Sequence, residues 1–175
     1  MVPVLETERL ILRGHRLEDF PAHAAMWTDE RTLRHIGGMS GSEEDLWLRF
    51  LRNEGQWSLT GSGMWAIEEK ASGTYAGVVG FIFAKRMMDV PYRDAPEMGW
   101  AVAPEFHGIG FAREAVAKSL AWGDANLKAD TIWCMIKPGN QASRRVAMGA
   151  GFQEARRAAY KETDMLTFLR PRKPI

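Results

Sequence analysis

The hydrophobic residues of this chain recur with two periods, one typical of strands and one typical of helices. Leucines at every second position predict a strand over residues 9–14, and apolar residues three or four apart predict a helix over residues 17–27. The sequence Ser-Glu-Glu-Asp from Ser42 resembles a capping box and predicts a second helix that reaches Trp57. A glycine-rich link at residues 35–39 joins the two helices.

The rest of the chain alternates strands with two further helices. Residues 64–70 and 75–85 predict a hairpin, whose second strand carries the apolar run Val-Val-Gly-Phe-Ile-Phe, typical of a strand buried on both faces. The remaining predicted elements are strands 97–103 and 131–136, helices 111–126 and 140–149, and a closing hairpin of 152–160 with 165–170. Meander strands combined with one βαβ-like unit predict an α+β fold with a mixed, twisted sheet. We expect one domain over residues 1–175, because no repeat or linker interrupts the pattern.

The strongest chemical signal lies in residues 97–115, where a strand, a glycine-containing loop and a helix follow one another. Gly108 and Gly110 allow the backbone to turn sharply and to approach a ligand closely. The helix that opens at Phe111 presents unpaired N–H groups and the positive end of its dipole. This arrangement is typical of an anion site, although an ordinary strand-to-helix turn has the same pattern.

Two common phosphate-binding motifs are excluded for this segment. A dinucleotide fingerprint requires a small residue where Arg113 stands, and a P-loop requires a closing Gly-Lys-Ser/Thr. Any phosphate site here therefore belongs to another class.

Composition, charge and residue spacing indicate which partners and cofactors to expect. A hydrophobic content of 46% is ordinary for a globular protein, and a net charge of +1 gives no electrostatic reason to expect a nucleic-acid partner. The four histidines lack metal-ligand spacing, so no metal is expected. Cys134 has no second cysteine to pair with and lies in an apolar run. We see no signal peptide and no apolar stretch of ~20 residues, so we expect a cytoplasmic protein without a membrane partner.

Three segments, in this order, carry a family resemblance. They are Glu-Thr-Glu-Arg-Leu-Ile-Leu-Arg from Glu6, the segment from Glu97 to Ala115 with Pro-Glu-Phe-His-Gly-Ile-Gly-Phe-Ala, and Asn-Gln-Ala-Ser from Asn140 followed by Gly-Phe at 151–152. Together they resemble the RimJ/RimL-like branch of the GNAT N-acetyltransferase superfamily. The resemblance implies the GNAT-type acyl-CoA N-acyltransferase fold and transfer of an acetyl group from acetyl-CoA to a primary amine.

The resemblance also implies which residues bind the coenzyme. The backbone of the glycine loop would hold the pyrophosphate, and Ala101 and Val102 would hydrogen-bond the pantetheine arm. The superfamily loop pattern opens with Gln or Arg, whereas this chain has Glu105 at that position. The full set of implied coenzyme residues is Ala101, Val102, His107, Gly108, Ile109, Gly110, Phe111, Ala112, Arg113, Asn140 and Ser143.

Glu97 and Ser143 are the catalytic candidates. The resemblance implies that Glu97 takes the amine proton, directly or through water, while a strand-end carboxylate paired with an arginine is an equally open interpretation. Many superfamily members protonate the leaving thiolate with a tyrosine, but Ala147 occupies that position here. Ser143 then becomes the group near the sulfur, where hydrogen bonding to the thiolate suits a hydroxyl better than proton transfer. Asn140 and Ser143 also fit plain helix capping.

The amine acceptor is expected beside aromatic residues. We predict that Ile36, Gly37, Trp65 and Trp100 border its entrance, with core packing as the alternative for each tryptophan. Such walls suit a peptide N-terminal α-amine or a small amine. A non-catalytic acyl-CoA-binding or regulatory module is the second functional hypothesis, and a homodimer is left open.

Overall fold

The computed structural model describes residues 1–36 and 41–173. Within these residues, eight strands form one sheet. Its strand order is β1-β2-β3-β4-β5-β6-β8-β7. The strands are β1 (Leu5–Glu6), β2 (Leu10–Arg13), β3 (Met64–Glu69), β4 (Tyr75–Ile82), β5 (Glu97–Val102), β6 (Thr131–Ile136), β7 (Gln153–Tyr160) and β8 (Thr163–Pro171). Neighbouring strands are antiparallel except β5 and β6, which are parallel. The predicted α+β fold with a mixed sheet is confirmed.

Five helices accompany the sheet in the described part of the chain. They are α1 (Phe20–Thr28), α2 (Glu30–Ile36), α3 (Glu43–Thr60), α4 (Phe111–Asn126) and α5 (Gln141–Gly149), with 3₁₀ turns at Leu17–Asp19 and Pro104–Phe106. The capping box at the start of α3 forms as predicted, since Ser42 and Asp45 each accept a hydrogen bond from the other's backbone N–H. Within the described residues, no helix is long and apolar enough to span a bilayer.

The structure differs from the sequence prediction most clearly at the start of α1, at the additional helix α2 and at the end of β4. The helix predicted over residues 17–27 begins as a 3₁₀ turn and becomes α-helical at Phe20, one residue before a proline that suits a first turn. The short helix α2 was not predicted; the Asp29 carboxylate starts it by accepting a hydrogen bond from the N–H of Arg31 at 2.8 Å. Strand β4 ends at Ile82 rather than at residue 85, because the next N–H, that of Phe83, leaves the sheet to donate to the side chain of Gln56.

Helices cover both faces of the central strands. Trp65 and Val79 belong to a core cluster shared with α4, while Ala66 and Val78 belong to a second cluster shared with α1 and α3. Side chains of consecutive strand residues point to opposite faces, so these pairs place buried side chains on both faces of β3 and β4. The prediction that β4 is buried on both faces is confirmed.

Strands β5 and β6 separate soon after they meet. Their only paired positions are Glu97 and Trp133, and the N–H of Trp133 donates to the carbonyl of Pro96 at 3.1 Å. Strand β5 remains paired with β4 along its whole length, without a register shift. A gap therefore opens in the middle of the sheet, on the β6 side of residues 98–102.

Candidate active site

The backbone of β5 presents free hydrogen-bonding groups to this gap. The N–H of Ala103 donates to the carbonyl of Ala76 on β4, so the alternation of an antiparallel pair turns the N–H and C=O of Ala101 toward β4 as well. The same alternation turns the backbone groups of Trp100 and Val102 into the gap. Nε2 of His107 lies 2.8 Å from the carbonyl oxygen of Val102 and, as the protonated nitrogen, donates to it.

This geometry corrects one part of the sequence prediction. Ala101 was expected to hydrogen-bond a pantetheine arm, but its backbone groups belong to the β4–β5 ladder. The backbone groups that face the gap are instead those of Trp100 and the N–H of Val102. The edge of β5 is exposed by divergence of its parallel partner β6, since β5 itself pairs with β4 without a bulge.

The glycine loop adopts the conformation that its sequence predicts. Gly108 has a φ of 81° and Gly110 a φ of 91°, both in the left-handed region that favours glycine. A Cβ built on Gly108 would have no neighbouring atom within 4 Å, so open space lies over the loop. Gly110 is the N-cap of α4, and the first N–H groups of that helix have no partner within it. The loop therefore has the geometry of an anion site.

Two residues from the opening strand segment hold this loop in place. Arg9 donates to the carbonyl of Ile109 at 2.8 Å and to the carboxylate of Glu114 at 2.7 Å. Thr7 donates to the same carboxylate. Burial opposes charge on Glu114, but the hydrogen bonds from Thr7 and Arg9 outweigh it and lower the pKa of this carboxyl group. The resemblance included Arg9 as part of a motif, and its contact with the loop becomes visible only in three dimensions.

A cavity of about 590 Å³ lies over the loop and the open edge of β5. Ile109 does not line it; that side chain is 49% exposed, and only its carbonyl takes part in the loop. The predicted coenzyme residues that do line the cavity are Ala101, Val102, His107, Gly108, Gly110, Phe111, Ala112, Arg113, Asn140 and Ser143.

Asn140 and Ser143 lie where α5 begins. The side-chain oxygen of Asn140 accepts a hydrogen bond from the N–H of Ser143 at 3.0 Å, so Asn140 is the helix N-cap, one of the two interpretations that the sequence allowed. The hydroxyl of Ser143 is not used in this cap. Ser143 is half-buried and lines the large cavity, so capping leaves it available to a ligand.

A second cavity of about 180 Å³ lies on the other side of the same residues. Trp100, Asn140, Ser143 and His35 line both cavities, which therefore meet at the gap between β5 and β6. The second cavity extends from this junction to Glu97, beneath α1 and α3.

Glu97 forms a bidentate ion pair inside the second cavity. Nε and one terminal nitrogen of Arg86 donate to its two carboxylate oxygens at 2.7 and 2.9 Å, and the other terminal nitrogen donates to the hydroxyl of Tyr160. The Glu97 side chain is only 6% exposed. Burial opposes the charge of Arg86, but the hydrogen bonds to Glu97 and Tyr160 and the charge of Glu97 outweigh the effect of burial. They raise the pKa of Arg86. The paired-carboxylate interpretation is therefore realised, and the ion pair places Glu97 on the cavity wall.

The predicted acceptor residues fall into three groups. Trp100 lines both cavities, as expected for a residue at the junction. Trp65 is fully buried in the core and donates from Nε1 to the carbonyl of Pro3, so it has no access to either cavity, and the core-packing alternative is the correct one. Gly37 and the side chain of Ile36 lie outside the described residues.

Sequence reasoning missed most of the second cavity wall. His23 and Trp27 from α1, Arg49 and Arg52 from α3, and Arg86 all line it. The three-residue spacing of Arg49 and Arg52 on a predicted helix was the available signal, because such residues share one face. Cys134 also lines this cavity, and burial raises the pKa of its thiol. The structure shows no cluster of metal-ligating side chains within residues 1–36 and 41–173.

Known proteins share this sequence pattern and this geometry. Residues 9–153 match the family model described as "Acetyltransferase (GNAT) domain". The chain is 28% identical over 155 residues to the N-acetyltransferase YoaA of Bacillus subtilis, covering 88% of this chain and 85% of that protein.

Two solved structures show the same fold. A GNAT-family acetyltransferase from Bordetella pertussis superposes with a TM-score of 0.83 at 30% identity, covering 96% of this chain and 99% of that one. RimL, the ribosomal L7/L12 α-N-protein acetyltransferase, solved with coenzyme A, superposes with a TM-score of 0.77 at 18% identity, covering 97% and 98%. At this identity the likeness to RimL shows a shared fold. With a family model over most of its length and a relative of 30% identity across nearly all of it, the chain belongs to the GNAT family of acetyltransferases.

Proposed function

We propose that this protein transfers an acetyl group from acetyl-CoA to a primary amine by direct attack in a ternary complex. The observation that carries the proposal is the meeting of two cavities at Trp100, Asn140 and Ser143. One cavity contains a glycine loop with the geometry of an anion site, and the other leads to a buried carboxylate. Two substrates that enter from opposite sides would bring thioester and amine together at the gap, which supplies much of the rate by proximity.

The coenzyme would lie in the large cavity. Backbone N–H groups of Gly108–Arg113 and the start of α4 would hold its pyrophosphate, and Arg113 would add a charge contact. The pantetheine arm would extend the sheet in place of β6, with the N–H and C=O of Trp100 and the N–H of Val102 as its partners. Arg9 and Glu114 would act as positioning residues, because they hold the loop without lining the cavity.

At the junction, the amine nitrogen attacks the thioester carbonyl carbon, the carbon–sulfur bond breaks, and the amine proton must leave. Glu97 would accept this proton, directly or through water, since a carboxylate has lone pairs beyond the two that accept from Arg86. The hydroxyl of Ser143 would donate a hydrogen bond to the departing thiolate.

A release assay for coenzyme A, run over a panel of amines, tests the catalytic part of the proposal. We expect amine-dependent release, and initial-rate plots that intersect when both substrates are varied, as a ternary complex requires. Parallel plots would indicate an acetyl-enzyme and would reject direct attack. Acetyl-CoA binding without release for any amine would favour the non-catalytic module, whose main support is Ala147 in place of the usual tyrosine.

A further inference from the structure

The cavity that leads to Glu97 is strongly cationic. Arg49, Arg52, Arg86 and Lys137 line it, whereas Glu97 is the one carboxylate among its described lining residues, which leaves an excess of three positive charges. Arg86 and Glu97 already neutralise each other through their bidentate pair. The other cations of the lining are Arg49 and Arg52 on α3 and Lys137 at the end of β6, so the net charge of the lining is positive.

The arginines of α3 lie close enough to disfavour one another's charge. Burial, and then the charges of Arg52 and Arg86, lower the pKa of Arg49 to about 9. Burial, and then the charge of Arg86, lower the pKa of Arg52. The guanidinium of Arg49 also lies 3.6 Å from the centre of the Trp27 ring, so this aromatic face is already occupied by a cation. A bound anion would relieve this repulsion, and a further cation would increase it.

Two buried ring nitrogens on the same wall have no hydrogen-bond partner among the described residues. They are Nε1 of Trp27, which only donates, and Nε2 of His23. The two residues are 4% and 1% exposed. Nδ1 of His23 lies 2.9 Å from the Tyr75 hydroxyl; if that hydroxyl donates its proton to Nδ1, Nε2 carries the ring proton and becomes a second donor. Burial, and then the charge of His15, lower the pKa of His23 to about 3, so the ring is neutral at working pH.

We propose that the natural acceptor is a small primary amine that also carries a carboxylate, as an amino acid does. This inference rests on the proposed acetyl transfer and names its substrate class. A cavity of about 180 Å³ suits a molecule of this size. Arg52 would bind the carboxylate, with the charge of Arg49 nearby. The N–H of Trp27 and, in the tautomer described above, that of His23 would complete its hydrogen bonds. The same cations favour the neutral, nucleophilic form of the amine over its ammonium form. Polyamines and other multiply charged cations are disfavoured for the same reason.

Matched acceptors test the proposal with the intact protein. Free amino acids are compared with their carboxamides. Short peptides that bear Asp or Glu are compared with the corresponding peptides that bear Asn or Gln. A diamine serves as the cationic probe. We expect kcat/KM for the carboxylate member of each pair to exceed that of the amide by roughly 10- to 100-fold, the range for one charge-assisted hydrogen-bond pair.

Arg52→Gln should remove most of this preference by raising acceptor KM, while Arg52→Lys restores part of it. Arg52 lines the cavity but keeps much of its surface in solvent, so its replacement spares the core. Arg16→Gln is the control, because Arg16 is an exposed arginine paired with Glu68 that lines neither cavity.

A binding measurement keeps the test independent of turnover. In the presence of coenzyme A, an N-acetyl amino acid should bind wild type by calorimetry at least about tenfold more tightly than its amide, and Arg52→Gln should abolish the difference. Equal use of acid and amide, a diamine as the best acceptor, or a carboxylate preference that survives Arg52→Gln would overturn the inference. In each of these cases amine-dependent release of coenzyme A would still support acetyl transfer, so the two proposals fail separately.

Discussion

Replacement of Glu97 by glutamine separates a catalytic carboxylate from a structural one. The substitution keeps the shape of the side chain but removes its charge. It leaves Arg86 with one acceptor on that side chain instead of two, and with an unbalanced charge. The two hydrogen bonds of 2.7 and 2.9 Å therefore determine the expected loss of stability.

Removing one partner of a buried ion pair costs about 3–5 kcal/mol in the free energy of unfolding. The lower end, about 3 kcal/mol, is expected here because the Arg86 side chain is 20% exposed and still donates to Tyr160. For a chain of 175 residues this corresponds to a decrease in Tm of roughly 10 °C. If Glu97 also accepts the amine proton, kcat/KM should fall by roughly 10²-fold, the low end for a positioned base.

Arg86→Gln is the matched control, because it breaks the same ion pair and keeps the carboxylate. Thermal denaturation and release of coenzyme A are measured for both variants at a temperature well below either transition. We expect similar decreases in Tm but a much larger loss of kcat/KM in Glu97→Gln. Equal losses of activity in the two variants would show that Glu97 acts through structure alone. An unchanged Tm in Glu97→Gln would refute the energetic reasoning about the pair.

Three further substitutions test the remaining parts of the site. Gly110→Ala should lower acetyl-CoA affinity by roughly tenfold in calorimetry, because left-handed backbone costs an alanine about 1–2 kcal/mol and the loop shifts to avoid it. Gly73→Ala, at a φ of 69° in the β3–β4 turn, is the control, and equal losses of affinity in the two variants would contradict the phosphate assignment. Ser143→Ala should lower kcat by roughly tenfold or more with a smaller change in KM for acetyl-CoA, since the hydrogen bond strengthens as thiolate charge develops; an effect confined to KM would assign Ser143 to binding. Trp100→Ala should raise acceptor KM because this ring lines both cavities, and an unchanged KM would remove Trp100 from the acceptor wall.

Local sequence determined the elements and the glycine loop. Period-two and period-3.6 patterns specify which side chains are buried, and they predicted the strands, the long helices and the double-sided burial of β4. Gly108 and Gly110 required no tertiary information either, because the left-handed backbone that they adopt is accessible mainly to glycine. The capping functions of Ser42 and Asn140 are likewise decided within four residues of chain.

Only the tertiary structure decided which of these residues meet. Hydrogen bonding to β4 turns the backbone groups of Trp100 and Val102, rather than those of Ala101, away from β4. Divergence of β6 after the Glu97–Trp133 pair then exposes them, so the open edge depends on a partner strand over 30 residues away. Trp65 and Trp100 are both tryptophans on strands, but one faces the core and the other lines both cavities. The cations that line the second cavity come from α3, from the loop after β4 and from the end of β6. The spacing of these segments along the chain gives no sign that they enclose one site. Long-range packing brings these charges together, whereas local sequence patterns predict only contacts within a turn or two of the same element.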